Sequence, residues 1–306
     1  MHDILIIGAG PAGLTAAIYA RRAGKSVLVI EKETFGGQIT YSPKVENYPG
    51  FNALSGNELG EKMVDQALAL GAEVELDEIV NIRDVGQYKI AQGANGDYQA
   101  LSVIIASGSR HRHLGLPREE ELTGHGISYC ALCDGAFYKD KEIAVIGGGN
   151  TALQDAVLLS DICKKVTIIQ NLSFLTGEQS LAEVLKARKN VDFIFDTVVE
   201  SFEGDKELTG LELKNTATGK VDIFPVEGIF VAIGQQPENE PFSGVCKLDD
   251  NGYISSGEDT LTGRDGIFAA GDCRTKKVRQ VVTAAGDGAV AALNACRFVD
   301  NSKSKA

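Results

Sequence analysis

Ile4-Leu5-Ile6-Ile7-Gly8-Ala9-Gly10-Pro11-Ala12-Gly13 stands near the head of a 306-residue chain and decides how the rest is read. Four β-favouring apolar residues run into a GxGxxG turn, after which Leu14 to Ala23 has helical character and stops at Gly24. A second strand, Val27 to Ile30, ends at Glu31. Strand, glycine turn, helix and strand follow in the order of a βαβ unit. The glycines admit a pyrophosphate to the helix N-terminus, and an acid ending the second strand accepts hydrogen bonds from a ribose diol. A lone GxGxxG is weak evidence, but with Glu31 in place this one reads as an adenine-dinucleotide site.

The pattern recurs. Ile143 to Ile146 leads into Gly147-Gly148-Gly149-Asn150-Thr151-Ala152, a helix is expected from about Thr151 to Asp161, and Val166 to Ile169 forms the next strand. Here Ala152 replaces the third glycine, and the selector position corresponding to Glu31 holds Gln170, followed by Asn171 and Leu172. Between the two units, Asn57 to Ala72 reads as a helix and Val74 to Ile105 as several strands with a polar hairpin near Gly93 to Asp97. Beyond the second unit, Glu178 to Arg188 reads as helical. Ile229 to Gly234 and Gly266 to Asp272 read as buried strands, and a last helix is expected from about Val281 to Phe298.

Between the glycine turns lies Cys130-Ala131-Leu132-Cys133, followed at once by Asp134. Two thiols at this spacing can close a disulfide across one turn, and a helix beginning there favours the thiolate that attacks a partner disulfide. The arrangement reads as a disulfide wired to a bound flavin. Asp134 can also be read as the N-cap of the following turn.

Length and composition agree with an enzyme of two domains, since 306 residues exceed what one core usually supports. A net charge of −12 argues against nucleic acid and against an anionic membrane surface as partners. No apolar run approaches the roughly 18–20 residues a membrane span requires. The N-terminus enters Ile4 to Gly8 without a basic region or cleavage site, so a cytoplasmic protein is expected. Six cysteines are too few for a disulfide scaffold, and neither a second close pair nor a spaced His pair completes a zinc site, so no metal is expected. Cys163, Cys246, Cys273 and Cys296 read as small packing residues.

Taken together, these stretches resemble the low-molecular-weight thioredoxin reductase family across nearly the whole chain. The resemblance is carried by the first glycine turn, Gly36-Gly37-Gln38, Val45-Glu46-Asn47-Tyr48-Pro49-Gly50, Cys130 to Gly135, the second glycine turn, and Phe268-Ala269-Ala270-Gly271-Asp272. It implies an α/β fold of two Rossmann-like three-layer nucleotide-binding domains, the second inserted in the first. Residues 1–111 and 241–306 would form a discontinuous FAD-binding domain. Residues 112–240 would form a pyridine-nucleotide-type domain carrying the redox pair, with hinges near Arg112 and Glu240. It further implies a homodimer acting on thioredoxin or a thioredoxin-like protein.

Carried over by position, Gly8, Gly10, Gly13 and Glu31 would cradle the FAD pyrophosphate and ribose. Gly37, Gln38 and Asn47 would line the flavin, Asp272 would meet its ribityl or phosphate portion, and Gln280 would sit near the isoalloxazine. Pro11, Ala12, Lys32, Ser107, Gly108, Gly271, Arg279 and Val281 complete the implied cofactor set. Cys133 would face the flavin, Cys130 would exchange with the substrate disulfide, and Asp134 would protonate the leaving thiolate.

The chain departs from the family where NADPH-using members carry a His-Arg-Arg run and a further arginine. Gln170-Asn171-Leu172-Ser173-Phe174-Leu175-Thr176 supplies none of the cationic forks that a 2′-phosphate needs, which speaks against NADPH. The resemblance is then to pyridine-nucleotide-independent members that take electrons from ferredoxin. NAD(P)H through other contacts, a flavin dithiol oxidase acting on small molecules, and a non-catalytic flavin redox sensor stand as alternatives. A local basic cluster of Arg110, His111, Arg112 and His113 with Arg274, Lys276, Lys277 and Arg279 offers an acidic ferredoxin a docking patch. The flavin ferredoxin–NADP reductases of related fold lack a cysteine pair and fit poorly.

Overall fold

The computed structural model describes residues 1–42 and 44–304. The chain divides into two compact units, Met1–Arg110 with Gln236–Ala306, and His111–Gln235, so it passes between them twice. The sequence reading put those passages at 111/112 and 240/241.

The first unit is built on a sheet whose parallel part orders Glu73–Leu76, Val27–Glu31, His2–Ile7 and Asp97–Ile105. Asp97–Ile105 serves three neighbours. Ala100 to Ile105 border His2–Ile7, its N-terminal half takes the antiparallel Lys89–Gly93, and Val103 to Ile105 pair with Ile267–Ala269. Alternation sorts the side chains between two faces. Ile4, Ile6, Val27 and Val29 meet the helices Pro11–Arg22, Gly56–Ala69 and Val281–Lys303. Leu5, Ile7, Leu28 and Ile30 meet Ile79, Ile82, Phe242 and Val245 on the opposite side. Helices, sheet and an antiparallel hairpin layer therefore give three layers, as the family resemblance implies. Truncating a side chain such as Ile6, which is fully buried, to Ala would cost about 2–5 kcal/mol.

The second unit repeats the plan. Its five parallel strands run in the order Val191–Ile194, Lys165–Ile169, Glu142–Ile146, Ile229–Val231, Ile127–Ser128. Ile143, Val145, Val166 and Ile168 pack on Leu153, Ala156, Leu159 and Leu185 from the helices Asn150–Ser160 and Gln179–Lys186. Ala144, Ile146 and Ile169 pack on Val199, Phe202, Leu211 and Leu213 from a three-stranded antiparallel sheet.

Helix ends differ from the sequence reading by a few residues, most at the C-terminus. That helix runs to Lys303 rather than Phe298. Its last turn is held by ion pairs from Lys25 to Asp300 (2.5 Å) and from Lys303 to Asp3 (2.6 Å), and by Ser302 Oγ donating to the Phe298 carbonyl. Among the described residues no helix is long and apolar enough to cross a membrane.

Candidate active site

In the first unit the expected cofactor residues converge because parallel strands end together. Ile7 is in register with Ile30 and Ile105, and Ile105 with Ala269. Gly8, Glu31, the Ala106–Gly108 stretch and the Ala270–Asp272 stretch thus leave the sheet along one edge. From His2–Ile7 the chain goes next to a strand on one side and later to a strand on the other, the switch point where open α/β sheets bind ligands.

The glycine turn is dictated by close approaches. A Cβ on Gly13 would stand 1.9 Å from the Gly8 carbonyl oxygen, and one on Gly8, at φ +102°, would stand 2.3 Å from the Ala106 oxygen. Gly10 differs: a Cβ there would meet no protein atom nearer than 3.9 Å, so the space beside it is free for another group. Gly10 is also the N-cap of Pro11–Arg22, with no side-chain cap and no acid in the first turn, which leaves the positive end of the helix uncompensated. Beside this turn, Glu31 accepts from Ala9 N–H (2.7 Å) and Glu33 N–H (2.9 Å), one on each oxygen, with lone pairs remaining for hydroxyl donors. Asp272 Oδ1 is buried without a hydrogen-bond partner, and burial pushes the carboxyl up to about 6 against the pull of Lys276 and Arg279. A glycine cradle, a free helix end, an acid for a diol and an orphaned carboxylate oxygen fit a flavin dinucleotide.

The remaining expected residues gather in the same unit. Asn47 Nδ2 donates to Gln280 Oε1 (3.2 Å), and Gln280 caps the helix that Val281 begins. Gly37 opens a short 3₁₀ turn that includes Gln38, with its backbone against Gly10. Ser107 Oγ donates to Asn239 Oδ1 (3.0 Å), Gly108 has a φ of +70°, and Gly271 N–H donates to Asp287. Arg279 lies over the Tyr253 ring at 4.2 Å. Lys32 is ion-paired with Glu238. Pro11 and Ala12 form the first turn after Gly10, and Ala12 is buried.

In the second unit Cys130 and Cys133 are joined as a disulfide. Cys130 is the N-cap of the single turn Ala131–Asp134, and its sulfur accepts from Cys133 N–H (3.2 Å). Asp134 does not cap the next turn with its side chain, which corrects the capping reading. Its Oδ2 instead accepts from Ser128 Oγ at 2.6 Å, and its Oδ1 is buried without a partner. Burial, the larger influence, raises this carboxyl above its ordinary range while the Ser128 hydrogen bond pulls it down. The arrangement can hold a proton near a thiol pair. Ser128 also accepts from Cys130 N–H at 3.1 Å, so one hydroxyl ties cysteine and acid together. No sequence pattern marks it.

The second glycine turn departs from the first at the selector. Where Glu31 bonds the turn's backbone, Gln170 is buried and its Nε2 donates to the Phe174 carbonyl (3.2 Å). Leu172 and Phe174 are exposed, 39% and 58%, where phosphate-binding side chains would be wanted.

The basic cluster is neutralised only in part. Arg274 is 1% exposed and bonded to Asp287, Lys276 is paired with Asp287, and Arg110 is paired with Glu33 and Glu238. Burial, helped by His113, pushes His111 down to about 4, so it is neutral. His113 is hydrogen-bonded to Tyr129, whose hydroxyl donates to Glu119 (2.8 Å). Four of the eight cluster residues are thus paired or neutral, while Arg112 and Lys277 remain exposed.

Comparison with known proteins shows the family and the fold. The family model described as pyridine nucleotide-disulphide oxidoreductase matches residues 2–288. The chain is 43% identical over 304 residues to a thioredoxin reductase of Listeria monocytogenes, covering 99% of this chain and 95% of that one. It is 41% identical over 301 residues to a thioredoxin reductase of Bacillus subtilis, covering 98% and 95%. The crystal structure of a thioredoxin reductase from Streptococcus pyogenes superimposes with a TM-score of 0.94 at 38% identity, covering 98% of this chain and 99% of that one.

Proposed function

Given that this chain belongs to the pyridine nucleotide-disulphide oxidoreductase family, we propose that it reduces the disulfide of a thioredoxin through its Cys130–Cys133 couple. The chain is a flavin disulfide oxidoreductase, and FAD is its cofactor. The observation that carries the proposal is the Cys130–Cys133 disulfide with the raised carboxyl of Asp134 next in the chain.

Bound FAD supplies two-electron chemistry, collecting electrons from a donor and returning a pair to a disulfide. In the proposal Gly8, Gly10 and Gly13 with the Pro11 helix end hold its pyrophosphate, Glu31 its ribose and Asp272 its ribityl hydroxyls. Asn47, Gln280, Gly37 and Gln38 lie along the flavin. Once the Cys130–Cys133 bond has taken up two electrons, the Cys130 thiolate attacks one sulfur of the partner disulfide. The partner's S–S bond breaks, a mixed disulfide forms, and the leaving thiolate takes the proton held on Asp134. Cys133 then attacks the Cys130 sulfur, which restores the Cys130–Cys133 bond and releases the partner as a dithiol.

The electron donor we propose is a reduced ferredoxin. The support is the selector stretch: Gln170 turned into its own loop, Leu172 and Phe174 exposed, and no cation from Gln170 to Thr176. With Arg110, Arg274 and Lys276 already paired, docking would have to use other groups. We also propose that the chain works as a homodimer, since Tyr19, Phe51, Val282, Val290 and Leu293 leave apolar surface in the first unit.

The test is anaerobic flavin absorbance of the purified protein with thioredoxin as acceptor, adding NADPH, then NADH, then reduced ferredoxin. Bleaching by ferredoxin alone, followed by thioredoxin dithiol, is expected. Fast bleaching by either nicotinamide would overturn the donor while leaving the reductase intact. No thioredoxin dithiol from any donor would overturn the reductase.

A further inference from the structure

The Gly271–Cys273 turn, which carries Asp272, rests on buried charge. Asp287, in the C-terminal helix, is 6% exposed. Its Oδ2 accepts from Gly271 N–H (3.0 Å), Arg274 Nε (2.9 Å) and Lys276 Nζ (2.9 Å), and its Oδ1 accepts from Arg274 Nη2 (2.8 Å). The side chains of Arg274 and Lys276 are 1% and 5% exposed. Burying three charged groups is no better for stability than packing apolar side chains of the same volume, so stability alone does not account for them.

The count of charges points to their use. Two buried cations face one fully bonded carboxylate, which leaves one positive charge over. Glu258 reaches Arg274 at 3.3 Å but is 90% exposed, so water screens it. The other acid in the neighbourhood is Asp272, whose Oδ1 has no partner. The charged groups that act on Asp272 are Lys276, Arg279, Asp287 and Arg274.

We propose that Asp287, Arg274 and Lys276 form a positioning element for FAD: Asp287 fixes the turn through Gly271 N–H, and the surplus buried cation keeps Asp272 ionised as an acceptor for the cofactor's hydroxyls. The proposal rests on the reading that Asp272 meets FAD. Burial pushes Asp272 up to about 6 even with Lys276, Arg279 and Arg274 pulling it down, so loss of one cation moves its titration toward neutrality. A purely structural cluster would change thermal stability and leave unchanged the pH at which cofactor is released.

The experiment follows fluorescence of FAD released from diluted holoprotein, from about pH 8 to about pH 5, for wild type, Lys276→Met, Lys276→Arg, Asp272→Asn and the Lys276→Met/Asp272→Asn double variant. Lys276→Met leaves the two-point Arg274–Asp287 pair in place, so folding is retained. FAD binding favours ionised Asp272, so affinity falls as pH drops through the pKa of the free site. Lys276→Met should release FAD at higher pH than wild type, with about tenfold weaker binding near that midpoint. Lys276→Arg should restore the wild-type curve. Asp272→Asn should bind weakly with a flat profile, and the double variant should match it. A Lys276→Met curve that overlays wild type, with Asp272→Asn weakened, would overturn the positioning role alone. Wild-type affinity and pH profile in Asp272→Asn would overturn the reading of Asp272 and this proposal with it.

Discussion

Ser128 Oγ donates a 2.6 Å hydrogen bond to Asp134 Oδ2 and itself accepts from the N–H of Cys130. A hydroxyl that donates to a carboxylate stabilises its ionised form, opposing the burial that raises Asp134. If Asp134 acts as the acid, turnover declines as pH rises through its pKa. Ser128→Ala removes the opposing hydrogen bond, so the pKa rises further and the alkaline limb of thioredoxin reduction moves to higher pH. Asp134→Asn should lower kcat by about 10²- to 10⁴-fold. A pH–rate profile of Ser128→Ala identical to wild type would remove Asp134 from the proton's path.

Gly10 and Gly13 should fail in different ways when replaced by Ala. At Gly13 the added carbon meets the Gly8 oxygen at 1.9 Å, so the first unit loses about 1–3 kcal/mol or more and its melting temperature drops. At Gly10 nothing lies within 3.9 Å, so the FAD-free fold keeps its melting temperature while FAD is lost. Calorimetry beside flavin absorbance separates the two, and full FAD retention in Gly10→Ala would refute the cradle.

Cys130→Ser and Cys133→Ser should each abolish disulfide turnover, since one sulfur cannot complete the exchange. FAD content should be unchanged in both, because the disulfide belongs to the second unit. Cys133→Ser should still form a mixed disulfide through Cys130 with an aromatic disulfide reagent, seen by mass spectrometry. Modification of Cys133 in Cys130→Ser, with none of Cys130 in Cys133→Ser, would reverse the assigned roles.

Arginines at Asn171 and Leu172 should confer response to NADPH, as neither residue offers a phosphate a charge-assisted hydrogen bond. Tenfold tighter NADPH binding corresponds to about 1.4 kcal/mol, within what one such contact provides. The measurement is the NADPH concentration that half-bleaches the flavin. No change would mean that nucleotide entry is blocked by something other than missing charge.

The sequence made the dinucleotide turns legible because their constraints are local: Gly8 and Gly13 touch within one turn, and Glu31 closes the next strand. The layers came from the family resemblance, because Ile4 to Ile7 and Val27 to Ile30 are apolar throughout and only the folded sheet divides them between two faces. What escaped depends on burial. Arg274 and Lys276 read as surface charge because nothing in Arg-Thr-Lys-Lys announces that Asp287 lies beneath them. Asp134 reads as the acid with an N-cap as the other reading, and nothing in the sequence shows that Ser128 takes one of its oxygens. The end of the C-terminal helix is not legible because polar Asp300 to Lys303 are held by Lys25 and Asp3, nearly the whole chain away.

The pairing of Val103 to Ile105 with Ile267–Ala269 also sets an order of events during synthesis. All of His111–Gln235 is synthesised before the strand that completes the first sheet. Domains fold as units while the chain grows at about 5–20 residues per second. The cysteine pair is therefore made ahead of Asp272 and the closing helix, and the first sheet, with strands from both ends of the chain, can be completed only after the second unit has been synthesised.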